Sequence, residues 1–155
     1  GLGRIEEADD AARTLVKQAP SDMGLYRLMA RCRIQGNKPV EAMQVLESGL
    51  RTNCSGGGCG TQAFDVEAGR MLARLYLENR MESKRADDLV NSIHQNIKAP
   101  TWFEDYLDAL TARNEEAEDA LEQARSLLPA ANDTDNPRRK MLLMAFPDLQ
   151  PQASV

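Results

Sequence analysis

An all-α fold is predicted by three features of this 155-residue sequence. Apolar residues recur at helical spacing, as in Phe64, Ala68, Met71, Leu72, Leu75 and Tyr76, while strict two-residue alternation is nearly absent. Breakers at Pro20, Gly36-Asn37, the glycine-rich stretch from Ser55 to Gly60, Pro100, Asn114 and Pro129 cut that pattern into short segments. Hydrophobic residues make up 42% and charged residues 28%, so a chain of this length can build a core without metals or disulfides.

The first helix is expected from about Ile5 to Lys17. Ser21 or Asp22 can cap the second, which runs to about Gln35 and stops at the Gly36-Asn37 turn. Pro39 suits the first turn of the third helix, because its missing N–H is not needed there, and that helix reaches about Leu50. Segments near Phe64 to Asn79 and Ser83 to Asn96 follow. Thr101 and Glu104 form a capping box, hydroxyl and carboxylate each satisfying a free backbone N–H at the next start. Asn114 can cap a stretch to Leu128, and Asn136-Pro137 opens a last short helix through about Ala145. Helices this short are marginal alone, so they must stack.

Internal periodicity separates a repeat array from an irregular α-helical bundle, which is the alternative architecture. Residues Gly3 to Ala8, then Ala12, Leu15 and Pro20, recur as Asn37 to Ala42, then Leu46, Gly49 and Cys54, with Ala8 and Ala42 34 residues apart. The pattern returns as Asn114 to Ala117, then Leu121, Ala124 and Pro129. Leu72-Ala73 with Tyr76, and the pairs Ala42 and Leu46, Ala86 and Val90, and Ala117 and Leu121, complete a signature that resembles the tetratricopeptide repeat. The second repeat carries Met29-Ala30 but has Arg33 where the tyrosine is expected. Nine residues in excess of one period separate Ala30 from Ala73 and fall in the Cys54 to Gly60 loop.

That resemblance implies a right-handed helix-turn-helix solenoid over residues 1–146: half a repeat, three degenerate repeats and a C-terminal capping helix. Residues 147–155 are expected to be a mobile tail. With Ile5, Ala12 and Leu15 lacking an upstream neighbour, and Gly1 rather than Met opening the chain, the sequence is expected to be part of a longer protein.

The resemblance also implies a function. First helices of this family line a concave groove that holds peptides, so the expected role is a non-enzymatic interaction module with a protein or peptide partner and no cofactor. In register, Arg27 and Arg31 correspond to Arg70 and Arg74, and the next repeat places Trp102 and Tyr106 there. An arginine ladder ending in an aromatic shelf suits an acidic segment or a free C-terminal carboxylate. The competing reading is structural ion pairing with Glu67, Glu78, Glu104 and Asp105.

Two other functions stay open at this level. Cys54 and Cys59 flank a glycine run and can form a local disulfide or a thiol or metal redox site. The run lacks the histidine of a haem attachment sequence, and only Cys32 and His94 remain to complete a zinc site. An oligomerisation or linker domain, self-associating through the first-repeat face, is the other. A net charge of −5 argues against broad nucleic-acid binding, and no apolar run is long enough for membrane insertion.

Overall fold

The computed structural model describes residues 2–54, 64–130 and 132–149; the side chains of Asn53 and Cys54 lie outside that description. The described residues are helical, with no strand: α1 Leu2–Gln18, α2 Met23–Gln35, α3 Pro39–Cys54, α4 Val66–Glu78, α5 Ser83–Gln95, α6 Trp102–Asn114, α7 Ala120–Ser126 and α8 Pro137–Ala145, then a 3-10 turn at Pro147–Leu149. None of these helices is long and apolar enough to cross a membrane.

Three of them are built on one frame. Helices α2, α4 and α6 each have 13 residues and start from an extended cap residue, Asp22, Asp65 or Thr101, whose side chain accepts a backbone N–H of the first turn. Each ends the same way. Asn37, Arg80 and Glu116 adopt left-handed φ values of 60°, 54° and 56°. The N–H one residue further on then reaches back to the carbonyl of Arg33, Tyr76 or Ala112, at 2.8, 2.8 and 2.9 Å. This closing loop satisfies carbonyls that the helix end would otherwise leave bare. Because Arg80 and Glu116 are not glycines, each left-handed residue costs about 1 kcal/mol, which the reverse turn and the packing beyond it offset.

The turns fold α3 back on α2, α5 on α4 and α7 on α6, giving three helical hairpins. Within the frame Ala30, Ala73 and Ala109 occupy one position, and each is fully buried, so a neighbouring backbone can come close. Ala42 and Ala86, the fourth residues of α3 and α5, are also fully buried. The first two hairpins exchange large for small at one contact. A Cβ on Gly49 would sit 2.7 Å from the Tyr26 ring, and one on Gly69 would sit 3.4 Å from Ile93. The hairpins join through packing of α1 on α2, α3 on α4 and α4 on α6, around a core that includes Leu46, Leu72, Tyr76, Ile93, Leu107 and Leu110.

The third hairpin departs from expectation. Asn114 is the last residue of α6, not the cap of α7; its amide donates to the Leu77 carbonyl at 2.9 Å. Ala117 therefore sits in the connection, and α7 starts from Asp119 with Ala120 and Ala124 as its buried small residues. Asparagine serves equally at either end of a helix, and the constant frame decides for the C-terminal end. The chain also stays folded past Phe146, the expected end of the domain. Pro147–Leu149 turns back onto α7 and Leu149 is buried, so the described part of the expected tail belongs to the core. On α1, Ala12 is buried against the fold, Ile5 is half-buried and Leu15 is 48% exposed.

Candidate functional site

The fifth residue after the cap carries the inner rungs of the arginine ladder, and each has a partner. Arg27 pairs with Asp65, the cap of the next first helix. Arg70 holds Glu104 through two bonds of 2.7 and 3.0 Å, and also meets Glu67 at 2.8 Å. Glu104 is fully buried and accepts in addition from the Thr101 N–H and hydroxyl, at 3.0 and 2.8 Å. Burial pushes this carboxyl up, but the Arg70 and Thr101 hydrogen bonds and the Arg70 charge outweigh it and hold its pKa below the ordinary value. One carboxylate thus caps α6 and clamps it to α4.

One turn further along, Arg74 pairs with Glu78 of its own helix and stays 40% exposed. Arg31 is exposed, with Gln35 in place of that glutamate. Trp102 stacks on Tyr106, centroids 5.4 Å apart, and its indole donates to the Leu127 carbonyl at 3.0 Å. Arg138 of α8 lies 5.1 Å from the Trp102 ring. Tyr106 has no exposed surface and so offers no shelf to a ligand; burial, with the Glu78 charge, pushes its phenol up. Of the six expected contact residues, Arg31, Arg74 and part of Trp102 face outward, while Arg27 and Arg70 are committed to carboxylates.

Where α4, α6 and α8 meet there is a cleft of about 500 Å³ lined by Arg74, Glu78, Arg113, Lys140, Met141 and Met144 among others. Sequence reasoning passed over Arg113. Its guanidinium donates to the carbonyls of Leu77 at 2.8 Å and Ala145 at 3.1 Å, tying the ends of α4 and α8 to α6, and burial lowers its pKa. The signal it left in the sequence was a basic residue in the last turn of a helix. Arg74, Arg113 and Lys140 share this cleft with one glutamate, and Met144 is 83% exposed. Such a lining suits an extended segment with an apolar side chain and a carboxylate.

A second cleft, of about 510 Å³, lies between α3, α4 and α5 and is lined by Glu47, Leu50, Leu72, Tyr76, Arg85 and Leu89 among others. The buried Tyr76 hydroxyl donates to Glu47, and burial raises its pKa. Arg33, at the same position in the frame, pairs with Asp9 of α1 at 3.4 Å, so both side chains reach a carboxylate on the helix that precedes their own.

Cys54 and Cys59, the expected disulfide or redox pair, lie outside the residues whose side chains are described. Cys32 is buried, and burial followed by the Asp9 charge pushes its thiol up. Among the described residues no cluster of three histidine, cysteine or acidic side chains could hold a metal. No family model matches the chain, and no curated protein or solved structure is significantly similar to it.

Proposed function

We propose that the chain is a tetratricopeptide-like solenoid acting as a non-enzymatic binding module for an extended peptide or protein segment. The observation that carries this reading is the shared frame of α2, α4 and α6, with equivalent caps, reverse turns and buried alanines. The junctions between hairpins differ, α3 packing on α4 at the first and α4 on α6 at the second, so the reading rests on the frame within each first helix and its return turn. The partner's contact residues are Arg31, Arg74, Trp102, Lys140, Met141 and Met144. Since Arg27, Arg70 and Arg74 each pair with a carboxylate, selectivity for acidic residues rests on Lys140.

Selection from a random peptide display library against the 155-residue chain tests this. Enriched peptides should carry an acidic residue beside an apolar one and lose binding about tenfold with Lys140→Glu, a change of about 1.4 kcal/mol. Enriched peptides indifferent to both Lys140→Glu and Met144→Asp, with the helical content unchanged, would remove the groove.

A further inference from the structure

Arg27, Arg33, Arg70 and Arg74 are half-buried, and each reaches a carboxylate. Arg113, half-buried in the cleft between α4, α6 and α8, reaches none among the described residues. Its hydrogens go to neutral oxygens instead: the Asn114 side chain at 3.0 Å and the backbone carbonyls of Leu77 at 2.8 Å, Ala145 at 3.1 Å and Glu78 at 3.4 Å. The Phe146 ring lies 5.9 Å from its central carbon. These contacts fix the guanidinium in place without cancelling its charge. Burial, with the Arg80 charge nearby, disfavours that charge and lowers the pKa.

The rest of the lining does not compensate it. Arg74 and Glu78 neutralise each other. Lys140, one turn before Met144 on the same face of α8, is exposed and forms no ion pair among the described residues. Arg113 and Lys140 therefore leave the lining with a net charge of +2. A carboxylate side chain would match half of that excess. A phosphomonoester, with nearly two negative charges at pH 7 and several strong acceptor oxygens, matches the whole. Resting on the binding role inferred above, we propose that this cleft receives a phosphorylated residue of the bound segment, its dianion held between Lys140 and the fixed charge of Arg113. Met141 and Met144 line the same cleft and supply apolar contact for the neighbouring part of the segment. Because Arg113 is already held by its own helix and by the ends of α4 and α8, it loses little freedom when the anion arrives. The cleft then reads a modification of the partner, gripping the segment when it is phosphorylated and releasing it when the phosphate is removed.

The probes are fluorescent pools of short degenerate peptides, identical except for a fixed central residue: phosphoserine, phosphotyrosine or glutamate. Each pool is titrated with the whole chain and followed by fluorescence anisotropy. At least one phosphorylated pool should bind about tenfold more tightly than the glutamate pool, and which one does names the residue that carries the phosphate. Lys140→Met keeps the apolar stem and removes the charge, and should weaken that pool about tenfold. Glu78→Gln frees Arg74 and should tighten it about threefold. Neither substitution removes a bond of Arg113, which meets Glu78 through the backbone carbonyl alone. A glutamate pool bound as tightly as both phosphorylated pools overturns the dianion site and leaves the groove standing. No pool bound up to about 1 mM removes the groove and the dianion site together. A preference for phosphate that neither substitution alters seats the anion elsewhere and also overturns the proposal.

Discussion

Replacing Glu104 by alanine should be among the most damaging single changes to the described fold. The substitution removes both bonds to Arg70 and the two from Thr101, and it leaves the Arg70 guanidinium, whose side chain is only 19% exposed, with Glu67 alone. Breaking a buried pair from one side costs about 3–5 kcal/mol. The surviving Glu67 contact places this case near the lower limit, and the lost capping box adds about 1 kcal/mol. A total of about 4 kcal/mol corresponds to a fall in melting temperature of roughly 8–16 °C for a chain of this size. Glu104→Gln keeps the Oε1 acceptor that the cap uses but loses the charge and the Oε2 acceptor of Arg70 Nε, where an amide NH2 would face that donor, so it should cost about 2–3 kcal/mol. Removing both partners as Arg70→Met with Glu104→Leu should recover much of the loss, since an apolar pair leaves no buried charge unmatched. Urea unfolding followed by circular dichroism at constant m-value measures all three. A loss under about 1 kcal/mol for the alanine variant would refute the clamp.

The same carboxyl sets a pH dependence. Its folded pKa lies below the ordinary 4.5, so the stability it contributes is complete above that value and is lost as pH falls through the folded pKa. Between about pH 5 and pH 3 the wild type should therefore lose more stability than Glu104→Gln, and parallel curves would contradict this. Gly49→Ala should cost about 2 kcal/mol, because its new methyl meets Tyr26 at Cβ and Cγ, close to the backbone. Gly69→Ala meets the far end of Phe64 and should cost less; the reverse order in thermal melts would contradict the packing. Cys32, buried and with a raised pKa, should resist iodoacetamide in the folded chain and react on unfolding, as peptide mass mapping would show. Trp102→Phe should leave the Leu127 carbonyl without its indole donor and lower stability by about 1 kcal/mol in the same urea assay.

Much of the local architecture was legible because it rests on local chemistry. The Thr101–Glu104 box, the Asp22 cap, Pro39 at a helix start and the stop at Gly36 each need only a few neighbouring residues. The register of Arg27 with Arg70 was also readable, since both lie at one distance from their caps. Glu67, Glu78 and Glu104 are legible as candidate partners and do pair with Arg70 and Arg74, whereas Asp65, the partner of Arg27, is not, because it caps α4 across a long connection. Tyr106 was misplaced for a related reason: its depth depends on Trp102 stacking over it and on α8, which arrives from far along the chain. Asn114 suits two opposite roles, and only the position of the reverse turn at Glu116 decides between them.

The stretches leading into the first helices, residues 19–22, 55–65 and 96–101, share neither length nor composition, yet those helices keep the same cap-to-turn interval. Since closing a longer loop adds only about 0.6 kcal/mol per doubling, new sequence can accumulate there at small thermodynamic penalty. An epitope tag or a small reporter domain inserted within 96–101 ought to leave the rest of the molecule assembled, whereas one residue added inside α4 would rotate every later side chain of that helix by about a hundred degrees. Descendants of such a chain would diverge first in their connectors, and comparison by whole-chain alignment would miss a kinship that cap-to-turn intervals preserve.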